Sequence, residues 1–489
     1  MPFTHDQAKT PLLDALRQCV NKPHAPFYTP GHKRGKGISP QLAECFGAAV
    51  FKADLPELEE LDNLFAPQGV IQEAQELAAA VFGAEQTWFL VNGSTCGVEA
   101  AILATCTPGD KIILPRNVHQ SAIAALILSG AIPVFVNPEY DSVLDIAHSI
   151  TPTGVAAALE QHPDAKAVMM VYPTYYGVCG DVAAIAQLAH QYNIPLLVDE
   201  AHGPHFTFHP DLPTPALASG ADLSVQSIHK VLGAMTQASM LLVQGNRIDT
   251  ARLSKSLQLL QSTSPSYLLL ASLDAARQQM ALQGKQLMSH TLQLAEMAKT
   301  QISQLGLSVL DLVVPTPGFV TMDSTRLTVT VSNLGLTGFE ADEILNQHLG
   351  VTAELPSLQH LTFIISLGNT AADITALVQA FTTLRQHKRA SHLHSTPVNL
   401  QMANTYSSLI SPRDAFFAQT ETLPRALSCD RISAELVCPY PPGIPVLIPG
   451  EVITRTALDY LEQIQIMGGF ISGCTDASLS TIKVMDVAS

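Results

Sequence analysis

The chain has 489 residues, 47 % of them hydrophobic and 14 % charged, a balance that supplies a substantial core and excludes intrinsic disorder. Its 26 Lys and Arg stand against 42 Asp and Glu, a formal charge of −16, which disfavours nucleic acid and anionic membrane surfaces and suits solubility or a cationic ligand. A chain of this length is expected to form about three domains.

The opening MPFTHDQAKTPLLDALRQCV has no basic stretch followed by an apolar one, so no secretory leader is predicted. Apolar runs such as IPLLVDEAH are cut well short of the ~18 residues needed to span a bilayer. Cys19, Cys45, Cys96, Cys106, Cys179, Cys429, Cys438 and Cys474 form no CxxC pair and no Cys/His ligand spacing. They read as reduced thiols, with no zinc site and no disulfide framework, and a cytoplasmic protein without membrane or nucleic-acid partners is expected.

In chain order, a short amphipathic helix is predicted over 11–20, followed by FYTPGHKRGKG, too rich in Gly and Pro for regular structure. From about 86 to 245, seven short apolar runs recur: TWFLVN, KIILP, IPVFVN, AKAVMMVYP, IPLLVDEAH, DLSVQSIHK and ASMLLVQG. Several are continuous rather than alternating, as strands covered on both faces are. Helical stretches such as SAIAALILSGA and VAAIAQLAHQYN separate most of them, so an α/β fold with a mainly parallel seven-stranded sheet is predicted. Ligands of such sheets gather beyond the carboxyl ends of the strands. Residues 247–300 read as long helices. RLTVTVS, GVTAEL and HLTFIIS as strands, with FEADEILNQHL and AADITALVQAFTTL as helices, predict a small α+β domain over 301–388. The polar stretch RQHKRASHLHSTPVN marks a junction, and another helix beginning near 453 is predicted in a C-terminal domain over 389–489. The expected division is thus an N-terminal arm (1–50), a large ligand-binding domain (51–300), the small domain and the C-terminal domain.

Four motifs fall at successive strand ends. Lys230, in SVQSIHK, is flanked by Ser227 and His229; a partly desolvated lysine there suits imine formation, whereas a lysine after an apolar run is ordinarily a solvated surface group. Asp199, in PLLVDEAHG, either caps a following helix or serves as the charge partner of a pyridinium nitrogen, which would keep such a ring electron-poor. NGSTCG at 92–97 offers backbone donors and the Ser94 and Thr95 hydroxyls at a helix start near Val98, as a phosphate cradle or as an ordinary N-cap. His119, in PRNVHQS, is a structural histidine or a ring stacked on an aromatic cofactor.

These segments resemble the fold-type I pyridoxal-phosphate decarboxylases that act on ornithine, lysine and arginine. The resemblance runs through FYTPGHKRGKG, LDNLFAPQGVIQEAQELAA, NGSTCG, PGDKIILPRNVHQSA, VYPTYYGV, LLVDEAHG, SIHK, TSPSYLLLASLDAAR and PYPPGIPVLIPGE, covering nearly the whole chain. It implies pyridoxal 5′-phosphate carried by Lys230, its pyridine nitrogen paired with Asp199, its phosphate held by Ser94, Thr95 and Ser227, and His119 stacked on its ring. It also implies that Ala201 packs beneath the ring and that His202 and His229 lie close to the reacting carbon. Similar enzymes share their sites across a homodimer, so Thr263 or Ser264 would reach the neighbouring subunit's phosphate. The chain is expected to lack the extra N-terminal domain of the decamer-forming members, which aligns it with the shorter bacterial arginine-decarboxylase branch.

The resemblance implies decarboxylation of a basic amino acid, with arginine giving agmatine and carbon dioxide, and with lysine and ornithine as alternative substrates. His229 and Lys230 are both candidates to return a proton to the α-carbon. Glu451 in IPGE, together with Asp62 in LEELDNLF, is expected to line the far end of the substrate pocket, because a carboxylate can grip a guanidinium through two parallel hydrogen bonds. The other reading of Glu451 is a cap on the helix near 453. An aminotransferase or aldolase of the same fold, or a catalytically inactive binding protein, are the more distant alternatives.

Overall fold

The computed structural model describes residues 6–386, 410–440 and 444–486. All seven predicted strands form, as β1 (Gln86–Leu90), β2 (Lys111–Pro115), β3 (Ile132–Val136), β4 (Ala167–Val171), β5 (Leu196–Asp199), β6 (Leu223–Gln226) and β7 (Ser239–Val243). They make one mainly parallel sheet in the order β1-β7-β6-β5-β4-β2-β3. The continuous apolar runs have their reason in burial: every residue of β5, β6 and β7 is buried. The edge strand β3, which carries Pro133, is half-buried along most of its length, as an edge position allows.

The chain divides into two compact units, Met1–Ala104 with Val198–Met288, and Thr105–Leu197 with Ser289–Ser489. In the first unit β7 runs antiparallel to both β1 and β6, with Leu241 opposite Trp88 and Val225. Helix Pro11–Asn21 buries Leu12, Ala15, Leu16 and Cys19, one stripe of its amphipathic face. Its first turn is held from outside: Asp274 Oδ2 accepts from the backbone N–H of Leu12 (3.0 Å) and Leu13 (3.3 Å). The fully buried Arg277 donates to the carbonyls of Gln7 (2.9 Å) and Lys9 (2.7 Å), so the N-terminal segment is fastened by side chains of one helical turn.

In the second unit β2 pairs in parallel with β3 and β4. A three-stranded sheet follows, Arg326–Thr330 and Leu355–Pro356 each antiparallel to His360–Ile364. Helices Gly338–His348 and Ala371–Gln386 pack on it around Leu345, Leu361, Phe363, Ile374 and Phe381. Here GVTAEL departs from its predicted strand. Gly350 takes a left-handed φ of 67°, and the N–H groups of Val351 and Ala353 donate back to Leu345 and Asp342 of the preceding helix, so that bonding to the sheet starts only at Glu354 N, which donates to Thr362 O, and the strand is confined to Leu355–Pro356. The C-terminal core gathers Val437, Leu447, Ile453, Leu461, Ile471 and Val484. The predicted junction falls mainly on 387–399, outside the described residues. No described helix is long and apolar enough to cross a membrane, and all eight cysteines are free thiols.

Candidate active site

After β1, NGSTCG turns directly into helix Gly93–Thr105. The helix starts five residues earlier than predicted, because Gly93 adopts φ 74°, a conformation that lets strand become helix without an intervening loop. Gly97 is required by packing: a Cβ there would lie 2.7 Å from Val225 Cγ1 and 2.8 Å from Leu90 Cδ1. Helix and sheet therefore approach closely, and the helix start lies against the end of β6. There the Ser227 hydroxyl, buried, donates to Ser94 Oγ at 2.7 Å. Two hydroxyls beside unpaired N–H groups of a helix start are a ready anion receptor. Thr95, next in the same turn, is exposed. Cys96 is no nucleophile: burial pushes its thiol up to about 12, and the thiol donates to Gly93 O.

Ser227 also stands at the N-cap position, without a side-chain cap bond, of the short helix Ile228–Val231, which carries His229 and Lys230. Lys230 Nζ lies 3.0 Å from His202 Nε2. With the amine protonated, Nζ donates and the His202 ring proton is assigned to Nδ1. Burial, and then the adjacent Lys230 ammonium, hold the half-buried His229 ring below its usual pKa. Asp199 ends β5 and is buried; the N–H of Ala201 donates to its Oδ1 at 3.2 Å. Burial raises the Asp199 pKa, and Lys230's positive charge offsets only part of that rise. This buried carboxyl thus favours a cationic partner in its vicinity. Lys230, His202, His229, Asp199, Ala201, Ser94, Thr95 and Ser227 all belong to the first unit.

Glu200 was not singled out from sequence, although its signal is present in the pair Asp199–Glu200 at a strand end. Successive residues of a strand point to opposite faces, so one acid can serve a site while its neighbour supports the structure behind it. Glu200 is fully buried and accepts from Ala216 N (2.8 Å), Ser224 Oγ (2.5 Å) and Gln226 Nε2 (2.9 Å). Burial, outweighing these bonds, pushes its pKa from 4.5 to about 7. A raised carboxyl pKa means that the folded protein holds a proton the unfolded chain releases. The associated stability is full below about pH 4.5 and is lost as pH rises through about 7. Glu200→Gln, a neutral isostere, is expected to flatten this dependence. Thermal midpoints measured from pH 5 to pH 8 should fall more steeply for the natural protein than for the variant; parallel curves would mean that Glu200 is ionised in the fold.

Asp62 does not present an open carboxylate. Its Oδ1 accepts from Asn63 N and Gln68 N, and its Oδ2 from Gly69 N, Ile71 N and Gln72 N, at 2.8–3.4 Å. It organises the loop and the entry into helix Val70–Phe82, with both carboxylate oxygens engaged by backbone N–H groups. Thr263 and Ser264 are exposed, on the loop between helices Thr250–Leu260 and Tyr267–Gln304.

In the second unit, His119 N-caps helix Gln120–Ser129: its Nδ1 accepts from Ser121 N at 3.2 Å. Glu451 is buried, and its Oε2 is paired with Arg116 Nη2 at 3.0 Å. The helix near 453 begins at Arg455 and is capped by Thr454, not by Glu451. The fork expected to face a substrate guanidinium is thus engaged by a guanidinium of the chain itself, and Arg116 is the partner that sequence reading passed over.

Residues 10–321 match the Orn/Lys/Arg decarboxylase major domain, and residues 399–473 match the C-terminal domain of the same enzymes. The chain belongs to the Orn/Lys/Arg decarboxylase family. It is 39 % identical over 481 residues to an arginine decarboxylase of Bacillus subtilis and 40 % identical over 481 residues to an arginine decarboxylase of Halalkalibacterium halodurans, covering 98 % of both chains in each case. Among solved structures, lysine decarboxylase A from Pseudomonas aeruginosa superposes with a TM-score of 0.84 over 97 % of this chain and 80 % of that one, at 22 % identity, which bears on the fold. The family resemblance read from the motifs is therefore the family that the matches give, and this Orn/Lys/Arg decarboxylase is an enzyme.

Proposed function

We propose that the chain is a pyridoxal-phosphate-dependent arginine decarboxylase, converting arginine to agmatine and carbon dioxide. The observation that carries the chemistry is the grouping of Lys230, His202 and the buried Asp199 beside the Ser94–Ser227 hydroxyl pair at a helix start. This donor set fits the cofactor: hydroxyls and backbone N–H groups for a phosphate, a buried carboxyl lacking a full counter-charge for a pyridinium, and an amine for a carbonyl carbon. Arginine as substrate rests on the two relatives named arginine decarboxylase, each covered nearly end to end.

Bound pyridoxal phosphate supplies an electron-poor ring that takes up the electron pair left on Cα when carbon dioxide departs. Lys230 would hold it through Nζ. Asp199 would supply a negative charge to its ring nitrogen. Ser94, Thr95 and Ser227 would hold its phosphate, and the small Ala201 would leave room for its ring. His202 Nε2 fixes the Lys230 amine. His229, its pKa lowered, is uncharged at neutral pH, so Lys230 Nζ is the better candidate to deliver the proton that replaces the carboxylate on Cα. A homodimer is the proposed active unit, with Thr263 or Ser264 reaching the phosphate held by its other subunit.

The test incubates purified protein with arginine, lysine or ornithine and measures amine and carbon dioxide. Agmatine with equimolar carbon dioxide, and the highest kcat/KM for arginine, is the expected result. A higher kcat/KM for lysine or ornithine overturns the arginine assignment. Transfer of the amino group to a keto acid without carbon dioxide overturns the decarboxylase reading.

A further inference from the structure

Helix Val70–Phe82, the edge strand β1 and helix Thr250–Leu260 leave a groove of about 440 Å³ between them, with Leu64, Phe65 and Pro67 of the preceding loop in its wall. All of its walls belong to the first unit, and none of the residues assigned to the cofactor lines it. The volume is that of a small-molecule site, roughly 300–1,000 Å³.

The polar groups of this wall are unevenly used. Gln75 is 7 % exposed, yet its side-chain amide has no hydrogen-bond partner among the described residues. Thr87 Oγ1 is buried and likewise has none. Gln261 Oε1 accepts from Val91 N at 2.8 Å, which leaves its Nε2 as a neutral donor. Trp88 Nε1 donates to Ser254 Oγ at 3.2 Å, and this bond fixes the indole in the wall. Polar groups so deeply placed are ordinarily satisfied within the fold, so unused ones in a cavity wall point to a ligand or to solvent.

Charge decides which ligand would fit. Among the described residues no Lys, Arg or His lines the groove, and the formal charges in its wall are the carboxylates of Glu76 and Glu85. Glu76 Oε1 accepts from the neutral Gln72 Nε2 at 2.8 Å, and neither acid is in an ion pair among the described residues. An anion would be repelled here. A cation would gain charge-assisted hydrogen bonds from the carboxylates and attraction from an aromatic ring. Leu64, Phe65, Ala79 and Leu257 suit an aliphatic chain behind that charge.

We propose that this groove is a second, non-catalytic binding site for an alkylamine or alkylguanidine, the chemical class of the amines that decarboxylation of basic amino acids releases. Gln75 and Thr87 supply its inner polar contacts, and Glu76 and Glu85 supply the charge at its rim.

The chain's single tryptophan, Trp88, lies in the groove and reports its occupancy. The test titrates the purified full chain with agmatine and follows Trp88 fluorescence, in the natural protein, in Gln75→Leu and in the double variant Glu76→Gln with Glu85→Gln. The double variant changes exposed side chains and so guards against a misfolded Gln75→Leu. A saturable change is expected in the natural chain. Its Kd should rise about tenfold in each variant, the scale of one hydrogen bond to a charged group. kcat and KM for the amino-acid substrate should stay natural in both. The same titration with n-butanol, an alkyl chain without the charge, should give no saturable change. Absence of a saturable change with agmatine, the natural Kd in either folded variant, or an equal response to n-butanol overturns the proposal and leaves a solvent-filled groove.

Discussion

Lys230→Ala is expected to lower decarboxylation by about 10³-fold or more, near the upper end of what one proton-transferring group contributes and increased by the loss of covalent attachment. The expectation follows from where the lysine sits. β6 ends at Gln226, Ser227 precedes the next turn, and that turn carries Lys230 to within 3.0 Å of His202 Nε2. Truncation removes the amine that holds the cofactor and, in the same atom, the favoured proton donor to Cα. The Ser94–Ser227 pair and Asp199 are untouched, so the variant should still take up pyridoxal phosphate, reversibly. Steady-state turnover with arginine, together with cofactor retention on gel filtration, checks both parts. Turnover within about tenfold of the natural enzyme would mean that another group performs the chemistry assigned to Lys230.

Asp199→Asn is expected to lower turnover by about 10²–10⁴-fold while the fold is kept. Asn is isosteric, and its carbonyl oxygen can still accept from Ala201 N, the bond that Asp199 Oδ1 makes now. What is lost is charge. A buried carboxyl whose pKa burial has raised, with Lys230 as only a partial counterweight, gains most when a cation binds beside it. An amide offers a pyridinium no such stabilisation, so the ring nitrogen loses its proton and the ring its capacity to accept electrons. The variant should therefore bind cofactor, show an altered absorption band, and release carbon dioxide slowly. Near-natural turnover would return Asp199 to a structural role.

The sheet was legible because its strands are buried on both faces and must therefore be apolar throughout. β5, β6 and β7 leave no residue exposed, and the same runs stand out in the sequence. Strand ends were legible for the same reason, which is why Asp199, Ser227 and Lys230 could be named beforehand. Partners distant in sequence were not legible. Nothing in IPGE indicates that Glu451 meets Arg116, 335 positions away. Nothing in LEELDNLF indicates that Asp62 turns back on the backbone of the residues that follow it. A carboxylate in a family-like segment carries no mark of what already neutralises it. GVTAEL failed for a related reason: it has strand composition, but hydrogen bonds from its N–H groups to the preceding helix compete with the sheet. Glu200 was hidden beside the more conspicuous Asp199, although alternation along a strand separates the two into a site face and a support face.

The most direct measurement of the central claim is borohydride reduction of the purified, cofactor-loaded enzyme, followed by proteolysis and peptide mapping. The expected result is one pyridoxyl-modified peptide, the one containing SVQSIHK, with the label on Lys230, and no labelled peptide when the Lys230→Ala variant is treated in the same way. A label on any other lysine, or no label on a protein that releases carbon dioxide from arginine, would contradict it.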